Sequence, residues 1–413
     1  MDNSAPRTSE ESRTQLQYLG ELVSQGFANL ERKYRTERPS TPTRESASRN
    51  FAVDGVNSKE ILYDRLISTL LPRLKAQVNT ISATLEPASM KKDPESSLRR
   101  VLEIQPELDH NITQIDTDLL QLCPESLSSC GKTDDQHLKQ FKAYRLAELK
   151  DEFVCILDWI CSVCRATPRY IEAMELSRGG FFDHDDDDMY GQKEYAEKAV
   201  YMIEWAIVHS KRSEMGVLES TGKHGVRRIE SRLIDLIMRF TPTDPRGIAE
   251  CEPFRHRSSI YLAKLTVPIV KLLRLFYKKL SQIAINFGKT LISHTQMNSE
   301  QLKYVCESVE KVNRKLGSFE DNLSDIDTEF GDTPVNIRSL AQPLEEIASY
   351  LEGPLNSVVL YLVPLVDNLP DQTYFQSWFA LWNSQFNMAI HNVLQAAQNL
   401  DQNQLGYVVP LLP

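Results

Sequence analysis

Between Gln372 and Leu400, apolar residues recur three and four positions apart: Phe375, Trp378, Phe379, Trp382, Phe386, Ala389, Ile390, Val393, Ala397 and Leu400. That spacing draws one stripe along an α-helix. The other side carries Gln376, Asn383, Asn387, Gln395 and Gln398, and the whole stretch lacks Asp, Glu, Lys and Arg. At the chain's own 25% charged content, about seven charges would be expected there. A helix facing water usually displays charge on its outer side. The uncharged face therefore predicts neighbours on several sides, with this helix as the axle of a C-terminal bundle. Phe375, Trp378, Trp382 and Phe386 are the residues to expect at a partner surface if that face is open instead.

The same 3.6-residue period runs through roughly 13–35, 58–85, 106–122, 134–166, 192–219, 225–240, 257–293, 299–330, 335–367 and 372–400. Period-two runs bounded by turn residues are hard to find, and glycine is scarce, with 16 in 413 residues. The pattern predicts an all-α protein: two helical bundles preceded by a loosely attached N-terminal helix. Residues 36–56 carry Pro39, Pro42 and many Ser and Thr, the composition of a flexible linker. The expected domains are a helix and linker over 1–56, an N-terminal helical domain over 57–245 and a C-terminal bundle over 256–405. The break between them is expected around Thr241-Pro242-Thr243-Asp244-Pro245. Pro72 predicts a kink and Pro168 a stop, and Pro343, Pro354 and Pro364 divide 335–367 into short helices.

Composition narrows the function classes. A formal net charge of -10 disfavours nucleic acid and anionic membrane as partners, because both require a basic face. The polar N-terminus has no signal-peptide core, and Pro354–Pro370 is too short to span a bilayer. These features predict a soluble intracellular chain, in the cytoplasm or the nucleus. Seven cysteines without a signal peptide favour reduced thiols.

Chemistry-bearing residues are few. Asp183, Asp185, Asp187 and Glu194 fall at positions one, three, five and twelve of a calcium-binding loop, where a large hard cation takes its oxygen ligands. Asp188 stands where the sharp turn needs glycine, there is no second loop, and a solvated acidic loop is the simpler reading. Terpenoid-synthase acidic motifs do not fit the spacing. Cys161 and Cys164, with Cys155, sit on an apolar helix and read as core. His209 and His391 read as buried, hydrogen-bonded imidazoles. No phosphate cradle, nucleophile elbow or His pair at metalloprotease spacing is present. Neither a catalytic residue nor a cofactor is expected. A second apolar stripe, Leu262 through Ile283, is flanked by Lys264, Lys271, Arg274, Lys278 and Lys279. Its basic side is suited to acidic protein or to lipid headgroups.

At Leu71-Pro72-Arg73-Leu74, Val101-Leu102-Glu103-Ile104-Gln105-Pro106-Glu107-Leu108, Asp135-Gln136-His137-Leu138-Lys139 and Leu365-Val366-Asp367-Asn368-Leu369-Pro370 leading to Trp378 and Trp382, the chain resembles an expanded, uncharacterised all-helical family of rust fungi. The resemblance covers most of the chain beyond residue 55 and implies no activity. In architecture and charge the chain is also loosely similar to the cyclin-D-binding (Grap2 and cyclin-D interacting) class, with no motif matched. Together these readings predict a non-enzymatic, adaptor-like module binding a protein partner. The alternative is a metal-dependent enzyme or weak divalent-cation binder centred on residues 183–194.

Overall fold

In the computed structural model, residues 9–36, 54–123, 134–176, 191–241, 252–287, 294–328, 337–366 and 368–406 are described. Among them every regular element is a helix and none is a strand, so the fold is all-α. Residues divide into two compact units, one of 1–130 with 143–211 and one of 131–142 with 212–413.

The first unit contains α1 (Ser9–Thr36), α2 (Asp54–Arg65), α3 (Leu71–Thr84), α4 (Pro87–Lys92), α5 (Pro94–Leu122), α6 (Ala143–Ala173) and α7 (Gly191–Ser210). A single wide turn, Leu66–Leu70, joins α2 to α3 just ahead of Pro72, so the expected break becomes a π-helical turn. Helix α6 packs on α1 and α7, α5 on α1 and α3, and α3 on α7. The first helix is therefore not loosely attached. Its stripe of Leu19, Val23, Phe27 and Leu30 is buried in the core with Leu74, Val101, Ile156 and Ile203. Gln105 of α5 donates its side-chain amide to the Val23 carbonyl at 2.9 Å. The apolar stripe outweighs whatever freedom a polar linker offers, since each fully buried large side chain contributes about 1.5–3 kcal/mol. Pro168 does not stop α6, which runs through it to Ala173.

The second unit contains α8 (Glu214–Phe240), α9 (Arg257–Phe287), α10 (Ser299–Thr328), α11 (Ile337–Ser357) and α12 (Leu369–Gly406). Helix α8 packs on α9 and α10, α10 on α11, and α12 on both α9 and α11. Pro343 and Pro354 lie inside α11, which ends instead in a π turn at Val358–Leu362 and a 3₁₀ turn at Val363–Leu365.

Division falls at 211/212, ahead of the expected break at 241–256, because α8 is the α-hairpin partner of α9. Ser213 caps α8, its hydroxyl accepting from the Gly216 N–H at 3.1 Å. Gly222 and Gly225 then let the α9 backbone approach closely. A Cβ at Gly222 would stand 2.7 Å from the Tyr277 carbonyl oxygen, and one at Gly225 would stand 2.4 Å from the Tyr277 ring. Packed against Tyr277 and Ser281, α8 runs unbroken through both glycines, where the apolar pattern suggests two helices.

Asp135–Lys142 belongs to this unit through buried polar contacts. Lys142 is fully buried, donating to the Thr295 carbonyl at 3.0 Å and standing 2.7 Å from Glu214 Oε1. Thr295 donates its N–H and its hydroxyl to Glu214 Oε2 at 2.8 and 2.7 Å. Asp135 accepts from the Ser299 N–H at 2.8 Å and from its hydroxyl. Elsewhere in the unit, Glu320 of α10 faces α8, with Oε2 accepting from Arg232 at 2.9 Å and Oε1 buried without a partner. Burial pushes the Glu320 carboxyl up to about 7, against the pull of Arg232.

Two outcomes follow. Lys142→Met strands a buried carboxylate and should lower unfolding stability in urea by about 3–5 kcal/mol, with Lys142→Met/Glu214→Gln recovering much of it. Equal losses in both variants would contradict the pairing. For Glu320, the raised folded pKa means the native state holds the proton more tightly than the unfolded chain. Its contribution is then complete below about pH 4.5 and falls away as pH rises to about 7. Relative to wild type, Glu320→Gln should gain up to about 3 kcal/mol between those limits. A stability difference that does not change with pH would rule this out.

Candidate functional site

Helix α12 is amphipathic, but in a different sense from the expectation. Phe375, Phe379, Trp382, Phe386, Ile390, Val393 and Ala397 are buried. Phe276 of α9 packs between Phe379 and Trp382, with ring centroids 6.2 and 5.0 Å away. Trp382 stacks on Phe386 at 4.9 Å with the planes 12° apart, and its indole N–H donates to the Leu272 carbonyl at 2.8 Å. That bond satisfies the one polar atom the ring brings into the core.

Three of the four residues expected at a partner surface, Phe375, Trp382 and Phe386, are thus core residues, and Trp378 is half-buried. Trp378 meets Phe379 edge-on at 5.0 Å. It also forms, with Tyr374 and Phe375, a set of rings about Lys279 of α9, whose ammonium lies 5.0, 5.0 and 5.4 Å from the Trp378, Tyr374 and Phe375 centroids. Lys279 also donates to the Tyr374 hydroxyl at 3.3 Å. Partly exposed cation–π contacts of this kind are worth about 0.5–1 kcal/mol each. They fix the N-terminal part of α12 against α9.

The opposite face is open. Gln376, Asn383, Asn387, Gln395 and Gln398 are exposed, so α12 is not an axle with neighbours on all sides. Tyr374, Leu381 and Met388 are 53%, 59% and 60% exposed and repeat every seven residues along this face. Sequence reading named the inner row and missed this outer one. Its signal was present in the spacing, and became legible once the inner row was known to be filled by α9. His391 is likewise exposed rather than buried.

Helix α9 adjoins this face and contributes a charged counterpart. Lys264, Lys271 and Lys278 are exposed, while Leu262, Leu273, Phe276, Leu280 and Ile283 are buried. The apolar stripe is core, as its period implies.

The remaining candidates resolve differently. Asp183, Asp185 and Asp187 lie outside the described residues. Glu194 is in the first turn of α7 and pairs with Lys198 at 2.6 Å. No group of three His, Cys, Asp or Glu side chains suited to a metal occurs among the described residues. Cys161 and Cys164 are buried, and burial raises both thiols, Cys161 to about 11. Neither supplies a thiolate near neutral pH. Cys155, expected in the core, is exposed, because it falls on the outer side of α6. His209 is half-buried and lies 2.6 Å from Glu152. Beside it, Arg145 donates to the His209 and Ser210 carbonyls at 3.4 Å, and Tyr63 donates to Ser210 at 2.7 Å. This cluster closes the C-terminal end of α7, whose last carbonyls have no helical partner.

Residues 59–211 match a family described as Domain of unknown function (DUF8723), and residues 213–395 match one described as Domain of unknown function (DUF8721). The two stretches meet where the two structural units divide. No curated protein matches the chain. No described helix is long and apolar enough to cross a membrane.

The two faces of α12 separate in a stability experiment. Trp382→Ala should cost about 3–5 kcal/mol in urea unfolding, from the cavity and the lost indole hydrogen bond. Leu381→Ser should stay within about 0.5 kcal/mol of wild type. Comparable losses would show that Leu381 is packed.

Proposed function

We propose that this protein is a non-enzymatic, adaptor-like interaction module, and that a protein partner docks on the outer face of α12. One observation carries the reading. A long surface helix presents to solvent a face with no charge and with Tyr374, Leu381 and Met388 more than half exposed. Charged side chains are what an interaction core lacks and an ordinary solvated surface has. Large apolar residues that stay exposed at a regular spacing along one uncharged face mark a candidate contact surface. Amide side chains between them offer donors and acceptors without the desolvation cost of a charge. The cation-binding alternative at Asp183, Asp185, Asp187 and Glu194 gains no support from its one described member, which is held by Lys198.

The test is photo-crosslinking in native extract. A crosslinking residue in place of Leu381 should give a discrete adduct that Met388→Glu suppresses. The same residue in place of Tyr201 on α7, which is 62% exposed, should give none. No adduct from position 381 beyond that from position 201 would end the docking reading.

A further inference from the structure

Helices α9 and α12 pack together, and neither residues 257–287 nor residues 372–400 contain an Asp or Glu. The chain has 57 acidic residues in 413, so about eight would be expected in those two stretches at its own average. The acid-free surface is therefore a local inversion of a chain whose net charge is -10.

Its positive charge is arranged in a row. Lys264, Lys271 and Lys278 are exposed and seven residues apart, about 10 Å along the helix axis. Tyr261, Pro268 and Leu275 form a second exposed row at the same spacing, Tyr261 at 53% and Leu275 at 46%. No described carboxylate lies within ion-pair distance of the three lysines. On α8, Glu230 is engaged by Arg274 at 3.0 Å. Among the described residues, Lys264 lies over the Phe240 ring, 5.9 Å away. Several other lysines of the same unit are paired: Lys223 with Glu219, and Lys303 and Lys311 with Glu307. The α9 row is thus set apart from its own unit in both spacing and partners.

A seven-residue repeat of exposed positions is the track along which a second helix lies at a shallow crossing angle. We propose that α9 docks an acidic helix of a partner protein, one that carries carboxylates at seven-residue spacing opposite Lys264, Lys271 and Lys278 and apolar side chains against Tyr261 and Leu275. This rests on the docking reading above and supplies its partner chemistry. An anionic membrane fits less well. Such surfaces are held by denser clusters of four to eight basic residues, and the net charge of the chain opposes approach to them.

The experiment uses the full chain and a labelled synthetic helix with glutamate at every seventh position and leucine beside it, followed by fluorescence anisotropy. A scrambled peptide of the same composition is the control. The patterned peptide should bind, with affinity falling about 10-fold or more as salt rises through the physiological range. Lys264→Gln/Lys271→Gln/Lys278→Gln should weaken it by about 10-fold or more, while Lys303→Gln/Lys311→Gln should leave it unchanged. Equal binding of patterned and scrambled peptides, or indifference to the triple variant, would overturn the proposal. So would sedimentation with phosphatidylserine-rich vesicles that needs the same lysines, when the peptide does not bind. A crosslinked partner at Leu381 together with no peptide response would retain the docking surface and discard the acidic helix.

Discussion

The aromatic seam between α9 and α12 is the constraint on which the rest of the C-terminal unit depends. Phe276 fills the space between Phe379 and Trp382, and the Trp382 indole is pinned to the Leu272 carbonyl. A helix has one rotational setting that buries Phe375, Phe379, Trp382 and Phe386 together. Once that setting is fixed, Leu381 and Met388 are left exposed, and Tyr374 lies at the edge against Lys279. The same seam turns Phe276, Leu280 and Ile283 inward and leaves Lys264, Lys271 and Lys278 outside. The open faces of both helices are consequences of one packing choice. Lys279 adds to it, since an ammonium held by three rings needs no carboxylate on this surface.

Electrostatics then gives the two open faces different tasks. The α12 face can be buried without desolvating any ion, which is the large cost in covering a charged surface. The α9 row offers cations that no described carboxylate pairs, which in the proposed docking would favour an acidic partner over a basic one. In an otherwise acidic molecule, such a partner is repelled from most of the surface and attracted at one place. In the proposed docking, that combination would supply orientation as well as affinity.

The helical class was legible because 3.6-residue periodicity is written into nearly every segment. Tertiary contact decided what periodicity could not. Leu19, Val23 and Phe27 were visible as a stripe, but nothing local says that α5 and α6 cover it, and the polar linker composition pointed the other way. Pro168, Pro343 and Pro354 looked like stops, yet packing holds α6 and α11 together through them. Gly222 and Gly225 weaken a helix locally, and only the nearness of Tyr277 explains their place inside α8. On α12 the sequence identified the element and its apolar stripe, but the uncharged amide face, expected to be covered, is open. Aromatic rings suggest a partner surface and amides suggest burial until the neighbouring helix is known. The acidic run at Asp183–Asp188 was the sharpest local signal and lies outside the described residues.

Helix α12 is covered on one side only. Hydroxyl-radical footprinting of the full chain, read residue by residue by mass spectrometry, tests it directly. Met388 and Tyr374 should be oxidised rapidly, while Trp382 and Phe386, with comparable or greater intrinsic reactivity than an aliphatic chain, should be protected. Protection of Met388 to the level of Trp382 in the isolated protein would mean that the outer face is already covered, and would contradict the account.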